Sequence, residues 1–95
     1  MRGIRGRRDS THGPIRDGLR ARGWTVEDNG DAGRGLPDLI AGKGGATYLV
    51  ECKSPGKRET PQQQAKRLAW RGGPWIVAYS VDDVLAEHRA RGFAA

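Results

Sequence analysis

Two short apolar runs, each interrupted by a carboxylate, limit what this 95-residue chain can become. The first is Gly35-Leu36-Pro37-Asp38-Leu39-Ile40, and the second is Thr47-Tyr48-Leu49-Val50-Glu51-Cys52-Lys53. Apolar runs of this length, bounded by glycine and proline, read as buried strands. The segment Ala41 to Ala46 between them carries Gly42, Gly44 and Gly45, which supply the positive φ angles of a hairpin tip. Side chains alternate along a strand, so Leu49, Glu51 and Lys53 share one face while Tyr48, Val50 and Cys52 share the other. The hairpin then brings Asp38 alongside Glu51 and Lys53. Two carboxylates and an ammonium are costly to desolvate unless something needs them there. A pair of hard oxygen ligands suits Mg²⁺ or Mn²⁺, which leaves coordination positions for water and a phosphate. A neighbouring lysine orients or activates the attacking water and offsets charge on the phosphoryl oxygens. The tip Gly42 to Thr47 is not a phosphate-binding loop, because Pro37 stands where the first glycine is required and no helix follows. No nucleotide cofactor is expected.

The run Pro37-Asp38, twelve intervening residues, then Glu51-Cys52-Lys53 resembles the PD-(D/E)XK nuclease superfamily. With Gly35-Leu36 before it, Ser54 after it, and then Thr60-Pro61 and Gln64, the pattern is similar to the stand-alone VRR-NUC branch found in phages and repair nucleases. The resemblance spans roughly residues 9–86. It implies a restriction-endonuclease-like α/β fold, in the order α-β-β-β-α-β-α with a mixed central sheet. It also implies metal-dependent hydrolysis of DNA phosphodiesters. Asp38, Glu51 and the Cys52 backbone carbonyl would hold Mg²⁺ or Mn²⁺, Lys53 would serve the attacking water, and Gln64 would steady the water or the lysine. Stand-alone members of the branch are taken to act as dimers on branched DNA, so the implied partner is a four-way (Holliday) junction met by a homodimer. In the resembled family the first helix often adds an acidic residue. Pro14 stands about there in this chain and the helix offers only Asp17, which leaves Asp9 or His12 as the alternatives near the site.

Charge is distributed as such an activity requires. The chain carries a net +6, but residues 1–22 hold seven arginines against Asp9 and Asp17, and residues 57–71 hold five cations against Glu59. The intervening segment 23–56 is net acidic, so two cationic blocks flank the proposed metal position. The candidate phosphate contacts are Arg16, Arg20, Arg34, Lys57, Arg58, Lys66 and Arg67. Two other readings use the same residues: a nuclease-fold DNA-binding module without catalysis, or a small basic nucleic-acid-binding protein with solvated carboxylates.

The remaining chain fills in the order. Residues 1–8 form a flexible basic arm, residues 9–90 the domain, and residues 91–95 a frayed end. A helix capped by Ser10 or Thr11 runs to about Arg22, buries Ile15 and Leu19, and stops at Gly23. Trp24 to Glu27 forms the first strand. Thr60 caps a second helix with Pro61 in its first turn and Gln63 at the capping-box position, and its apolar stripe is Ala65, Leu68, Ala69 and Gly72. Trp70 stands outward among Lys66 and Arg67, placed to stack on a base, to meet a second copy or to fold back onto neighbouring loops. Pro74 to Tyr79 is apolar throughout and reads as a central strand. Ser80 caps a last helix whose inward stripe is Val81, Val84, Leu85 and His88. With 36% hydrophobic residues the core is thin, which favours a dimer. A lone cysteine excludes an internal disulfide and fits a cytoplasmic location, in a bacterium or phage-infected host. No apolar run is long enough for a membrane span or signal peptide.

Overall fold

The alternation along the third strand decides which way the sheet faces. In the computed structural model, which describes residues 9–30 and 35–95, β3 spans Ala46–Cys52 and buries Tyr48, Val50 and Cys52 on one face. Before it come α1 (His12–Ala21), β1 (Thr25–Asp28) and β2 (Leu39–Lys43). After it come α2 (Pro61–Ala69), β4 (Trp75–Ala78) and α3 (Val81–Ala90). The protein is therefore α/β, with three helices and one mixed four-stranded sheet in the order β1-β2-β3-β4. The first three strands are antiparallel neighbours, and β4 runs parallel to β3, as a strand returning after a helical crossover does.

Residue pairing fixes the two faces. Val26 meets Ala41 and Ala41 meets Tyr48, while Leu39 meets Val50 and Cys52 meets Ala78. All seven are buried and face α1 and α3, which contribute Ile15, Leu19, Val84 and Leu85 to the same core. The opposite face carries Ile40, Leu49, Glu51, Trp75 and Val77, and α2 lies beside this face near Val77. Where α1 crosses α3, a β-carbon at Gly18 would collide with the Val81 side chain.

Several boundaries differ from the sequence reading. β2 continues through Ala41, Gly42 and Lys43, so the hairpin tip shrinks to Gly44-Gly45 with φ of 63° and 91°. Two successive left-handed glycines suit a two-residue hairpin turn, so the longer tip was unnecessary. β4 is not central: it occupies the sheet edge, with Trp75, Ile76 and Val77 only half-buried. Its apolar character instead reflects contact on both sheet faces. Thr11 sits at the α1 N-cap but makes no cap hydrogen bond, because its hydroxyl donates to the Lys53 carbonyl at 3.0 Å. The α2 capping box is present, with Thr60 and Gln63 bonding each other's backbone amides. The α2 stripe is not covered: Ala65, Leu68 and Ala69 are exposed. Phe93 stacks on His88 with ring centroids 4.8 Å apart, so the segment after α3 does not simply fray. Arg34 and the arm 1–8 lie outside the described residues.

Candidate active site

Lys53 follows β3 directly and is buried, at 7% exposure. Its amide donates to the Ala78 carbonyl and its carbonyl accepts from Thr11, so both sides of its backbone are held. Four carboxyl groups feel its charge. Asp9 Oδ2 lies 3.9 Å from Nζ, and the Lys53 charge acts on Asp38, Glu51 and Glu59. The second Asp9 oxygen accepts the Ser54 amide at 2.9 Å, which fixes Asp9 ahead of α1.

Asp38 stands at the entrance to β2, where its Oδ2 accepts the Cys52 amide at 2.7 Å. Burial raises its pKa, against the lowering effect of that amide, His12 and Lys53. Glu51 is fully buried, and neither of its oxygens completes a hydrogen bond among the described residues. Burial pushes its pKa up to about 7, reinforced by the charge of Glu59 and by a carboxyl–carboxyl contact with it. Two carboxyl groups this close share a proton unless a cation takes its place. The Trp75 indole N–H, itself without a completed hydrogen bond among the described residues, works in the opposite direction on Glu51. Glu59 is held ionised chiefly by Arg67, whose Nε and Nη2 each donate to it at 2.8 Å.

The other expected residues fall where the fold puts them. Gln64 is exposed on α2 and lines an open cleft of about 510 Å³ with Arg58, Glu59, Val77 and Tyr79. Val77 is the register partner of Glu51, so the cleft borders the site. Lys57, Arg58 and Lys66 are exposed around α2, whereas Arg67 is engaged by Glu59. Arg16 is likewise engaged, by Asp17 and Asp28, and Arg20 donates to the Val26 carbonyl at 2.7 Å.

Three contributors were not singled out by sequence reasoning. Glu59 counted only against a basic block, although its place one residue before the capping Thr60 brings it to the second carboxylate. Trp75 read as strand filling. Asp28 closes β1 and binds His12 Nε2 at 2.9 Å and Arg16 at 2.8 Å. Burial works to raise the Asp28 pKa, yet hydrogen bonds from Arg16, the Gly30 amide and His12 outweigh it and hold it well below the carboxylate range. The alternation of acidic residues at strand ends (Asp28, Asp38, Glu51) was the available signal for it.

No family model, curated protein or solved structure matches this chain. Among the described residues no helix is long and apolar enough to cross a membrane.

Proposed function

We propose that the protein is a metal-dependent, structure-specific DNA endonuclease with a restriction-endonuclease-like core, acting on branched DNA such as four-way junctions. One observation carries the reading: Glu51 is fully buried and neither oxygen completes a hydrogen bond among the described residues, beside a second carboxyl group and a buried lysine. A buried carboxylate whose hydrogen bonds are incomplete is expensive, and binding a cation is a natural remedy. Carboxylate and carbonyl oxygens are the donors that a hard divalent ion takes. Asp38, Glu51 and the Cys52 carbonyl would hold Mg²⁺ or Mn²⁺, which when bound supplies Lewis-acid stabilisation of phosphoryl charge. The chain's own residues do the rest. Lys53, fixed by its backbone bonds, presents a donor that orients the attacking water and offsets negative charge on the phosphate. Asp9 and Glu59 keep its ammonium within an acidic surround. Gln64, on the wall of the cleft that Glu59 also lines, would steady the water or the lysine.

Substrate geometry follows from charge and size. Arg58 lines the cleft, and Lys57 and Lys66 are exposed before and along α2, available to backbone phosphates. The uncovered α2 stripe supports a homodimer, and a two-fold dimer presents paired sites to a two-fold junction. The deciding experiment is cleavage of labelled junction, flap, duplex and single-stranded DNA with Mg²⁺, Mn²⁺ or EDTA, by wild type and Lys53→Ala. Paired junction nicks are expected, abolished by EDTA and reduced at least about a hundredfold in the variant, whose fold is verified by circular dichroism. Tight junction binding with no cleavage under either metal would replace this reading with that of a DNA-binding module.

A further inference from the structure

On the α1 face of the sheet a second donor set converges. A ring nitrogen of His12, a carboxylate oxygen of Asp38 and the sulfur of Cys52 lie within 4.8 Å of one another. His12 and Cys52 are buried, at 2% and 1% exposure, and Asp38 is half-buried. The Cys52 amide occupies Asp38 Oδ2, leaving Oδ1 without a protein donor among the described residues. Asp28 accepts from Arg16 and from the Gly30 amide, and the same carboxylate meets His12 Nε2. A carboxylate can only accept, so Nε2 donates to Asp28 and Nδ1 is the ring nitrogen that Asp28 leaves unengaged. A carboxylate behind a histidine is the usual support for a metal ligand.

We propose that His12, Asp38 and Cys52 form a Zn²⁺ site that shares Asp38 with the Mg²⁺ position, so that occupation by one ion excludes the other. The donors are one nitrogen, one oxygen and one sulfur. Mg²⁺ has no use for imidazole or thiolate, whereas Zn²⁺ accepts all three. Zinc bonds of about 2.0–2.3 Å place tetrahedral donors roughly 3.3–3.8 Å apart, so side-chain rotations closing the set by about 1 Å complete the geometry. Three protein ligands leave a fourth position for water. On binding, Cys52 forms its bond to the metal as a thiolate and releases its proton to solvent. The exclusion of Mg²⁺ rests on the nuclease reading above, but the zinc site itself does not.

Titration of the full chain with Co²⁺, followed by absorbance, tests the site without DNA. The chain has one cysteine, so a thiolate-to-cobalt charge-transfer band identifies its sulfur as a ligand. The expected band saturates at one Co²⁺ per chain, is bleached by one equivalent of Zn²⁺, and is missing in Cys52→Ser. Asp28→Asn, which retains Cys52, should weaken Co²⁺ binding about 10–100-fold. No band at saturating Co²⁺ overturns the site, as does an affinity unchanged in both variants. A second arm measures Zn²⁺ inhibition of Mg²⁺-supported junction cleavage. The half-inhibiting concentration should rise at least about tenfold in Asp28→Asn. Equal inhibition of wild type and variant overturns the sharing of Asp38. A wild type that cleaves no DNA sinks the nuclease reading, while the cobalt band still decides the zinc site.

Discussion

Glu51 is a residue the folded chain tolerates rather than needs. Its pKa of about 7 lies above the ordinary 4.5, so between these values the folded protein holds more protons than the unfolded one. Stability therefore falls as pH rises through that window, by at most about 3 kcal/mol once pH exceeds 7. Glu51→Gln removes the titration. Thermal unfolding should show the variant more stable than wild type near pH 8 and equal to it near pH 4, while cleavage is lost. Equal melting curves at both pH values would mean the buried carboxyl is already compensated. Asp38, Glu51 and Lys53 were legible in the sequence because charged residues inside apolar strands are conspicuous. Asp9 stood in the sequence reading only as one of two alternatives, and Glu59 was not legible. Both approach Lys53 through chain reversals, at the start of α1 and of α2, that no local periodicity encodes.

At the scale of elements, the caps and stripes were readable wherever a local rule governs them. Thr60 with Gln63, Ser80 ahead of α3, and the Tyr48-Val50-Cys52 alternation all depend on neighbours within four residues. Placement in the sheet does not, which is why β4 read as central and lies at the edge. The stripe of α2 was legible as a pattern, but its exposure depends on what packs against it. The α1–α3 crossing offers a direct check on packing. Gly18→Ala gains about 1 kcal/mol of helix propensity, yet its methyl group meets Val81, whose β-branched side chain has little rotamer freedom in a helix. Overpacking costs roughly 1–3 kcal/mol and outweighs the gain. Chemical denaturation should show Gly18→Ala destabilised by about 1 kcal/mol and restored by adding Val81→Ala. A Gly18→Ala protein as stable as wild type would show that the helices separate without cost.

For the whole molecule the unbalanced feature is the uncovered side of α2. Leu68 is 69% exposed on α2 and Trp70 51% exposed at its C-cap, and the helix buries none of its residues. A thin core and an open apolar stripe together favour a second copy. Sedimentation should find wild type dimeric at micromolar concentration and Leu68→Asp monomeric with an unchanged fold. A monomeric wild type would remove the two-fold argument for junctions and leave the metal chemistry standing.

Trp75 touches Glu51 on one side and meets Trp70 edge-to-face on the other, with centroids 5.9 Å apart. The site thus carries its own lamp. Indole emission is sensitive to a charge gained or lost nearby, and the only other tryptophan, Trp24, is buried in the opposite face's core. Fluorescence of the unlabelled protein should shift with pH around 7 and respond to Mg²⁺, and Trp75→Phe should erase both responses while leaving Trp24 bright. Ion loading and proton loss at Glu51 would then be read in real time, with no DNA present.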